Sequence, residues 1–507
     1  MLTLTTAVWL VALGAALGLA LTRAARDVAA RNGMVDSPDR RRKTQVAPVP
    51  VGGGVAVLLA ALAALAAVAL GNPDVAEALT ADPRKSLALL AAAVLIAAVG
   101  LLDDRYNLRA RYKLLGQTAA ILVVVVGGDF VIHRVSVLGV AVELGGFAVA
   151  VTTLWLLACV NALNLIDGMD GLLGTVGGIA LVSLAVIAVI TGNVFAAAVA
   201  LALAGAVFGF LWWNLPPATI YMGDAGSMLI GLVIGAVAIP ASLKGPATVA
   251  LGAPLAILVL PMFDTTAAVV RRKLTGRGLA SADRGHLHHV MMRNGLTARR
   301  VLVVVAVLGL VAAGGALAST ALHNDLFALV AGGGVVVALV AGKLFGHAEL
   351  RLIRKRLSAS FRGLWPARGE SWELAVRIQG TVDWDEMWDD LVCVAKSLGV
   401  QSLGLDVNAP AMHESYVARW KHPAPAPEEY LWRLEIPLFG SHGAPLGRLT
   451  VAGRRDDDQP LTDTILTLTK IVETAEYHAT EMTAPPKVLA VPDTPNPAID
   501  DTLAARA

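Results

Sequence analysis

Four amide or carboxylate side chains, Asn161, Asn164, Asp167 and Asp170, recur at every third position in the run from Asn161 to Leu172. On a helical end that spacing lines one face with oxygen donors, and Gly168 and Gly171 let the backbone turn and approach a ligand closely. Acids and amides this close to an apolar stretch are costly and usually functional. A second group, Asp103–Asp104, sits in Gly-Leu-Leu-Asp-Asp-Arg-Tyr-Asn. Adjacent carboxylates repel unless a cation or an arginine neutralises them. Mg²⁺ takes such oxygens while keeping water and substrate phosphate. The plain alternative is a solvated helix cap paired with Arg105 or Arg109.

Asp224 lies between two glycines in Tyr-Met-Gly-Asp-Ala-Gly-Ser, shortly after Asn214-Leu-Pro-Pro. There it can reach a metal held by other loops, or merely cap the helix that follows. The last group is Arg284, His286, His288 and His289, set in a loop that also carries Arg271, Arg272 and Lys273. Zinc would need softer company. The two cysteines, Cys159 and Cys393, show no metal-site spacing, so the imidazoles better suit the anionic oxygens of a diphosphate.

The elements that position these groups are set by composition. Of 507 residues, 56% are hydrophobic and only 16% charged, with a net charge of +2, well under the ~25% charged residues of soluble chains. Nothing in that balance points to nucleic acid. About 20 apolar residues span a bilayer as a helix, and a window of that length finds about eleven candidates up to residue 345. They fall near 4–22, 51–71, 86–102, 115–127, 147–163, 172–191, 194–213, 225–243, 248–270, 300–318 and 326–345, and 129–144 reads as a hairpin outside the membrane. The first span has no Lys or Arg before it, and Arg23 and Arg26 after it. It therefore reads as a retained span with its N-terminus outside, not a cleaved signal. The Lys/Arg-rich loops follow odd-numbered spans, which puts them in the cytoplasm. All four polar groups then fall on that same side. One site assembled from four loops requires this sorting; a carrier, whose acids lie near mid-bilayer, does not.

In this order and on this topology, the motifs resemble the polyprenyl-phosphate N-acetylhexosamine-1-phosphate transferase family (glycosyltransferase family 4) over residues 1–345. The resemblance implies Mg²⁺, with Mn²⁺ able to substitute, a UDP-N-acetylhexosamine donor, undecaprenyl phosphate as acceptor, UMP as leaving product and a bacterial inner-membrane location. It implies Asn164, Asp224 and Asp167 as metal ligands and Asp103, Asp104 and Asp167 as catalytic groups. Asn161, Asp170, Asn214, Arg284, His286, His288 and His289 would bind substrate. His-Leu-His-His and the span count resemble the N-acetylglucosamine branch, the phospho-N-acetylmuramoyl-pentapeptide transferases being the alternative. The first loop departs from the family pattern at Gln45 and Val51. The family also allows a homodimer.

The expected fold is thus an all-α polytopic membrane protein followed by a separate module. Residues 346–369 form a basic membrane-proximal linker, 370–482 a cytoplasmic α/β domain resembling a GAF-like sensory fold, and 483–507 a disordered Pro/Ala/Asp-rich tail. Helices near 384–398 and 461–482 and strands near 401–407, 431–438 and 446–452 are expected, with Trp384, Leu391, Leu431 and Ile465 as core. No second catalytic set is visible in this module, which fits a regulatory or docking role for an unidentified cytoplasmic partner.

Overall fold

The structure, a computed structural model, describes residues 2–36, 48–137, 140–241, 243–245, 248–250, 252–275, 285–351, 353–354, 372–379, 382–409, 414–423, 427, 431–440, 445–454 and 461–483. Arg284, the substitution at Gln45 and the tail expectation for 484–507 lie outside the described residues. The chain divides into two compact units, Met1–Ser360 and Phe361–Ala507.

In the first unit, long Ala/Leu/Val/Gly runs form helices because nothing inside them interrupts the backbone ladder, and polar residues start them. Asp82 caps α4 (Pro83–Tyr106), Asn193 caps α8 (Val194–Asn214) and Thr297 caps α13 (Ala298–Ala321), each side chain accepting an amide of the first turn. The remaining long helices are α1 (Leu4–Arg31), α2 (Gly53–Gly71), α5 (Ala110–Leu122, running on as a π-turn to Gly127), α6 (Ala148–Ile166), α7 (Leu172–Ile190) and α9 (Gly223–Ala241). A short α3 (Pro73–Thr80) links α2 to α4.

Among the described residues nine helices are long and apolar enough to cross a membrane, not the eleven expected. The ninth expected span is broken into α10 (Gly252–Ile257) and α11 (Val259–Thr275) at Leu258. Pro261 supplies the reason: it has no amide to give the carbonyl of Ile257, and its ring crowds that turn. The eleventh is only 16 residues, α14 (Leu326–Ala341). Before α13 lies a short α12 (Leu287–Arg293).

Helix α9 is the hub, 94% of its apolar window being buried inside the unit. Helices α4, α6, α2 and α7 pack around it, and α1 lies along α8. Small residues set these distances. A Cβ on Gly54 would overlap the backbone of Gly226, and one on Gly100 the backbone of Ala225. Helices α2 and α4 therefore touch α9 backbone to backbone, at the end where the polar residues lie.

The unit is not purely helical. Strands β1 (Val35–Asp36) and β2 (Val49–Pro50) pair antiparallel. The expected hairpin is present as β3 (Arg134–Val137) and β4 (Val140–Glu143). It extends into a four-stranded sheet through β5 (Leu243–Gly245) and β6 (Thr248–Ala250), in the order β4-β3-β6-β5.

The second unit is an antiparallel five-stranded sheet in the order β10-β11-β8-β9-β7. Its strands are β7 (Trp372–Gln379), β8 (Ser402–Ala409), β9 (Glu414–Lys421), β10 (Leu431–Phe439) and β11 (Pro445–Arg454). Its helices are α15 (Trp384–Ser397), packed on β7, β8 and β9, and α16 (Leu461–Thr483), packed on α15 and β10. The expected helices and three strands are present; β7 and β9 are additional. Trp384 and Leu391 are fully buried as expected. Leu431 is only partly buried and Ile465 is exposed, because Ile471, Ala475 and Ala479 supply the inward face of α16 instead.

Candidate active site

The site grows from helix ends that meet at one end of the bundle. Asp103 and Asp104 close α4, Lys113 opens α5, Asn164 and Asp167 close α6, and Asp224 opens α9. Gly223 adopts φ +74°, a left-handed conformation that favours glycine. The turn aims the amides of Asp224 and Ala225 at Asp104, whose two carboxylate oxygens accept them at 2.8 and 3.3 Å. Asp104 is thereby committed to holding α4 against the start of α9.

Asp103, by contrast, points into a shared polar cluster. Its Oδ1 accepts the Leu108 amide at 2.7 Å, and its Oδ2 lies 2.9 Å from Lys113 Nζ. The same ammonium donates to Asn164 Oδ1 at 3.0 Å and pairs with the Asp224 carboxylate. Asn164 Nδ2 donates to Asp224 Oδ1 at 2.7 Å and to Ser227 Oγ at 2.9 Å. One ammonium thus collects two carboxylates and an amide oxygen from α4, α6 and α9. Asn161, one turn back on α6, donates to Gln117 Oε1 at 3.1 Å, and so stands beside this cluster.

Asp167 lies just beyond α6 and is partly buried. Burial pushes its carboxyl up to about 8, and the charges of Asp224, Asp104 and Asp170 push it the same way. The spacing that put four polar groups on one face is only partly realised, because α6 ends at Ile166. Asp170 therefore turns to the loop after α8, where its Oδ2 accepts the Ala218 amide at 2.9 Å. Asn214 is buried, accepting the Gly171 amide and donating to the Ile220 carbonyl. These two residues stitch the Asn161–Leu172 run to the loop that carries Asp224.

The histidines reach the same place from the other side. His288 is buried, and a Cβ on Gly168 would overlap its ring. Its ring is tilted on that of His289, with centroids 4.1 Å apart. Burial, with His289 and His286 adding, holds the His288 imidazole well below its ordinary pKa and so neutral. His286 Nδ1 lies 3.0 Å from Asp264 Oδ2, and Asp264 Oδ1 accepts the Leu287 amide at 2.8 Å. Arg271, noted above as a neighbour of the histidines in the chain, is buried and paired with Glu349. Its charge is spent inside the protein.

Two of these residues escaped sequence reasoning. Lys113 counted only as a loop charge, although it follows the acid pair closely and sits at the mouth of an apolar span. Asp264 lay in the middle of an expected span, where an acid is itself a signal of function.

A divalent cation fits this donor set. The oxygens of Asp103, Asp224 and Asn164 already converge on one positive charge, and Asp167 lies nearby. Among the described residues no three His, Cys, Asp or Glu side chains form a ready-made metal cage. Such oxygens suit Mg²⁺, which binds through one or two carboxylates and completes its shell with water and substrate phosphate.

Comparison with known proteins follows the same outline. The family model described as glycosyl transferase family 4 matches residues 86–242, the stretch from α4 to the end of α9. A "Probable undecaprenyl-phosphate N-acetylglucosaminyl 1-phosphate transferase" of Bacillus subtilis (strain 168) is 33% identical over 294 residues, 58% of this chain and 79% of that protein. A "Decaprenyl-phosphate N-acetylglucosaminephosphotransferase" of Mycobacterium tuberculosis (strain H37Rv) is 34% identical over 340 residues, 62% of this chain and 83% of that protein. An "Undecaprenyl-phosphate alpha-N-acetylglucosaminyl 1-phosphate transferase" of Escherichia coli (strain K12) is 29% identical over 287 residues, 55% and 75% of the two chains.

Proposed function

This chain belongs to glycosyl transferase family 4, and from that premise we propose that it transfers N-acetylglucosamine-1-phosphate from UDP-N-acetylglucosamine to a polyprenyl phosphate, releasing UMP. The observation that carries the reading is the cluster of Asp103, Lys113, Asn164 and Asp224 at the ends of four apolar helices. A charged centre built there can be reached by a lipid phosphate from the bilayer and by a soluble nucleotide from the adjoining face. We place that face in the cytoplasm because the Lys/Arg-rich loops adjoin it.

Both reactants are anions, so repulsion must be screened before they meet. Oxygens of Asp224, Asn164 and Asp167 would hold Mg²⁺, which would neutralise charge at the diphosphate. Lys113 contributes a fixed positive charge at the same point. The neutral His288 and its neighbours His286 and His289 offer nitrogens to the diphosphate from the far side of Gly168. A lipid phosphate has a second pKa of roughly 6, so it arrives as a nucleophile without a strong base. Its oxygen attacks the sugar-linked phosphorus, the bond to the bridging oxygen breaks, and UMP leaves with that electron pair. Asp103, held by Lys113 and the Leu108 amide, is placed to orient the incoming lipid phosphate. Asp104 keeps α4 and α9 in register. The sheet unit at 372–483 is assigned regulation or docking.

The test is incubation of the purified protein with undecaprenyl phosphate and radiolabelled UDP-N-acetylglucosamine or UDP-N-acetylmuramoyl-pentapeptide, with and without Mg²⁺. Lipid-linked label from the first donor alone, dependent on Mg²⁺, is expected. Preferential use of the second donor would move the chain to the other branch.

A further inference from the structure

We infer that Asp264 and the Arg271–Glu349 pair are positioning residues that clamp the histidine loop at two points and so set donor affinity. This rests on the reading that His286, His288 and His289 meet the donor's diphosphate. The clamp itself is read from geometry alone.

His286 caps α12, and His288 and His289 lie in its first turn. The contacts made at residues 285–287 bear on where these imidazoles lie. Asp264 is fully buried on α11 and uses both oxygens, one toward His286 Nδ1 at 3.0 Å and one on the Leu287 amide at 2.8 Å. A carboxylate against Nδ1 keeps the hydrogen on that nitrogen, so Nε2 is left for another partner. The same carboxylate fixes the backbone at the first turn of α12. Two turns further along α11, the Arg271 guanidinium lies against Gly285, where any Cβ would overlap it. A larger residue there would have to displace the guanidinium.

Arg271 is in turn held by Glu349, in the helical stretch 347–351 just after α14, and both side chains are buried. Removing the carboxylate partner of a buried guanidinium leaves a charge that is strongly destabilising where it stands. Residues beyond the last apolar helix thus take part in shaping the site. Glu349 falls in the segment read from sequence only as a basic membrane-proximal linker.

The experiment uses the full chain in lipid nanodiscs, with Asp264→Asn, Glu349→Gln and the charge swap Arg271→Glu/Glu349→Arg. Asn can still accept the Leu287 amide but presents an NH₂ group or an uncharged oxygen to His286. The donor KM is expected to rise about tenfold in each single variant while the acceptor KM stays put, the mark of lost ground-state binding. The swap should recover most of the donor KM. Loss of folded protein moves neither constant, so a merely structural role gives a different result.

Hydrogen exchange gives a second reading that needs no turnover. Amides of 285–293 should exchange faster in both single variants than in wild type, with those of 172–190 unchanged. Wild-type donor KM in both single variants would overturn the inference, as would faster exchange without a change in KM. If the wild type used no nucleotide sugar, the proposed function would fall, and exchange at 285–293 would still decide the clamp.

Discussion

At the scale of single residues, the cluster makes a strong demand on each oxygen. Asp224 meets Lys113 and Asn164 at once, and its charge acts on Asp167 just beyond the end of α6. Asp224→Ala and Asp167→Ala should each cut UMP release by about 10²–10³-fold, the usual cost of removing one preorganised electrostatic partner. The protein should still insert and purify, because Asp104 still ties α4 to the start of α9. Near-normal turnover at saturating Mg²⁺ would remove that residue from the proposed metal site.

Asp167 also gives a pH dependence. Its carboxyl is raised from the ordinary 3.8 to about 8, so the cation-free protein binds a proton there that the unfolded chain has already lost. That contribution to stability is full below about 4 and is lost as pH rises through about 8. A cation competes with the proton, so Mg²⁺ should raise the melting temperature more at pH 8.5 than at pH 6. Asp167→Asn should flatten the difference; an equal Mg²⁺ effect at both pH values in wild type would count against it. These carboxylates and the amide were legible in the sequence because acids beside apolar runs are rare. Lys113 was not, since a lysine at a helix end is what any cytoplasmic boundary carries.

At the scale of elements, the site depends on how closely helices approach. Gly100 lies against the backbone of Ala225, immediately after Asp224, and Gly71 at the end of α2 meets nothing. Gly100→Val should push α4 away from α9 and break the Asp104 contacts with the Asp224 and Ala225 amides. Overpacking of this kind costs about 1–3 kcal/mol, occasionally more, and here it also displaces Asp103. Turnover should fall well beyond the loss of folded protein, while Gly71→Ala leaves both unchanged. Equal turnover per folded molecule in the two variants would mean that α4 and α9 need not touch. The spans themselves were readable from hydropathy. The break at Leu258 was not, because a hydropathy window averages over Pro261 without asking which carbonyl it leaves unpaired.

At the scale of the whole molecule, the chain forms two compact units. Every residue placed in the site or its clamp lies in Met1–Ser360, and the sheet unit has its own core around Trp384, Trp388 and Trp420. A chain ending after Arg356 should keep kcat within about tenfold of full length, equivalent to roughly 1.4 kcal/mol in the barrier. A chain ending after Gly346 lacks Glu349 and should lose donor affinity even where it folds. Comparable rates in detergent, measured per folded molecule, check the first; the second is read from donor KM.

The sequence alone determined the solvent, the order of the apolar helices, the sorting of acids, amides and histidines to one end, and through these the family. Each follows from local chemistry: a run of apolar residues needs lipid, and a carboxylate beside it needs a partner. The tertiary structure decided which partner. Asp103 and Asp104, adjacent in the chain, go to different tasks, one to the Lys113 cluster and the other to the amides of α9. Asp170 and Asn214 turn to the backbone, and Arg271 goes to Glu349. Adjacent side chains on a helical end point in different directions, positions past the helix end leave its face, and which neighbour each meets depends on helices far away in sequence.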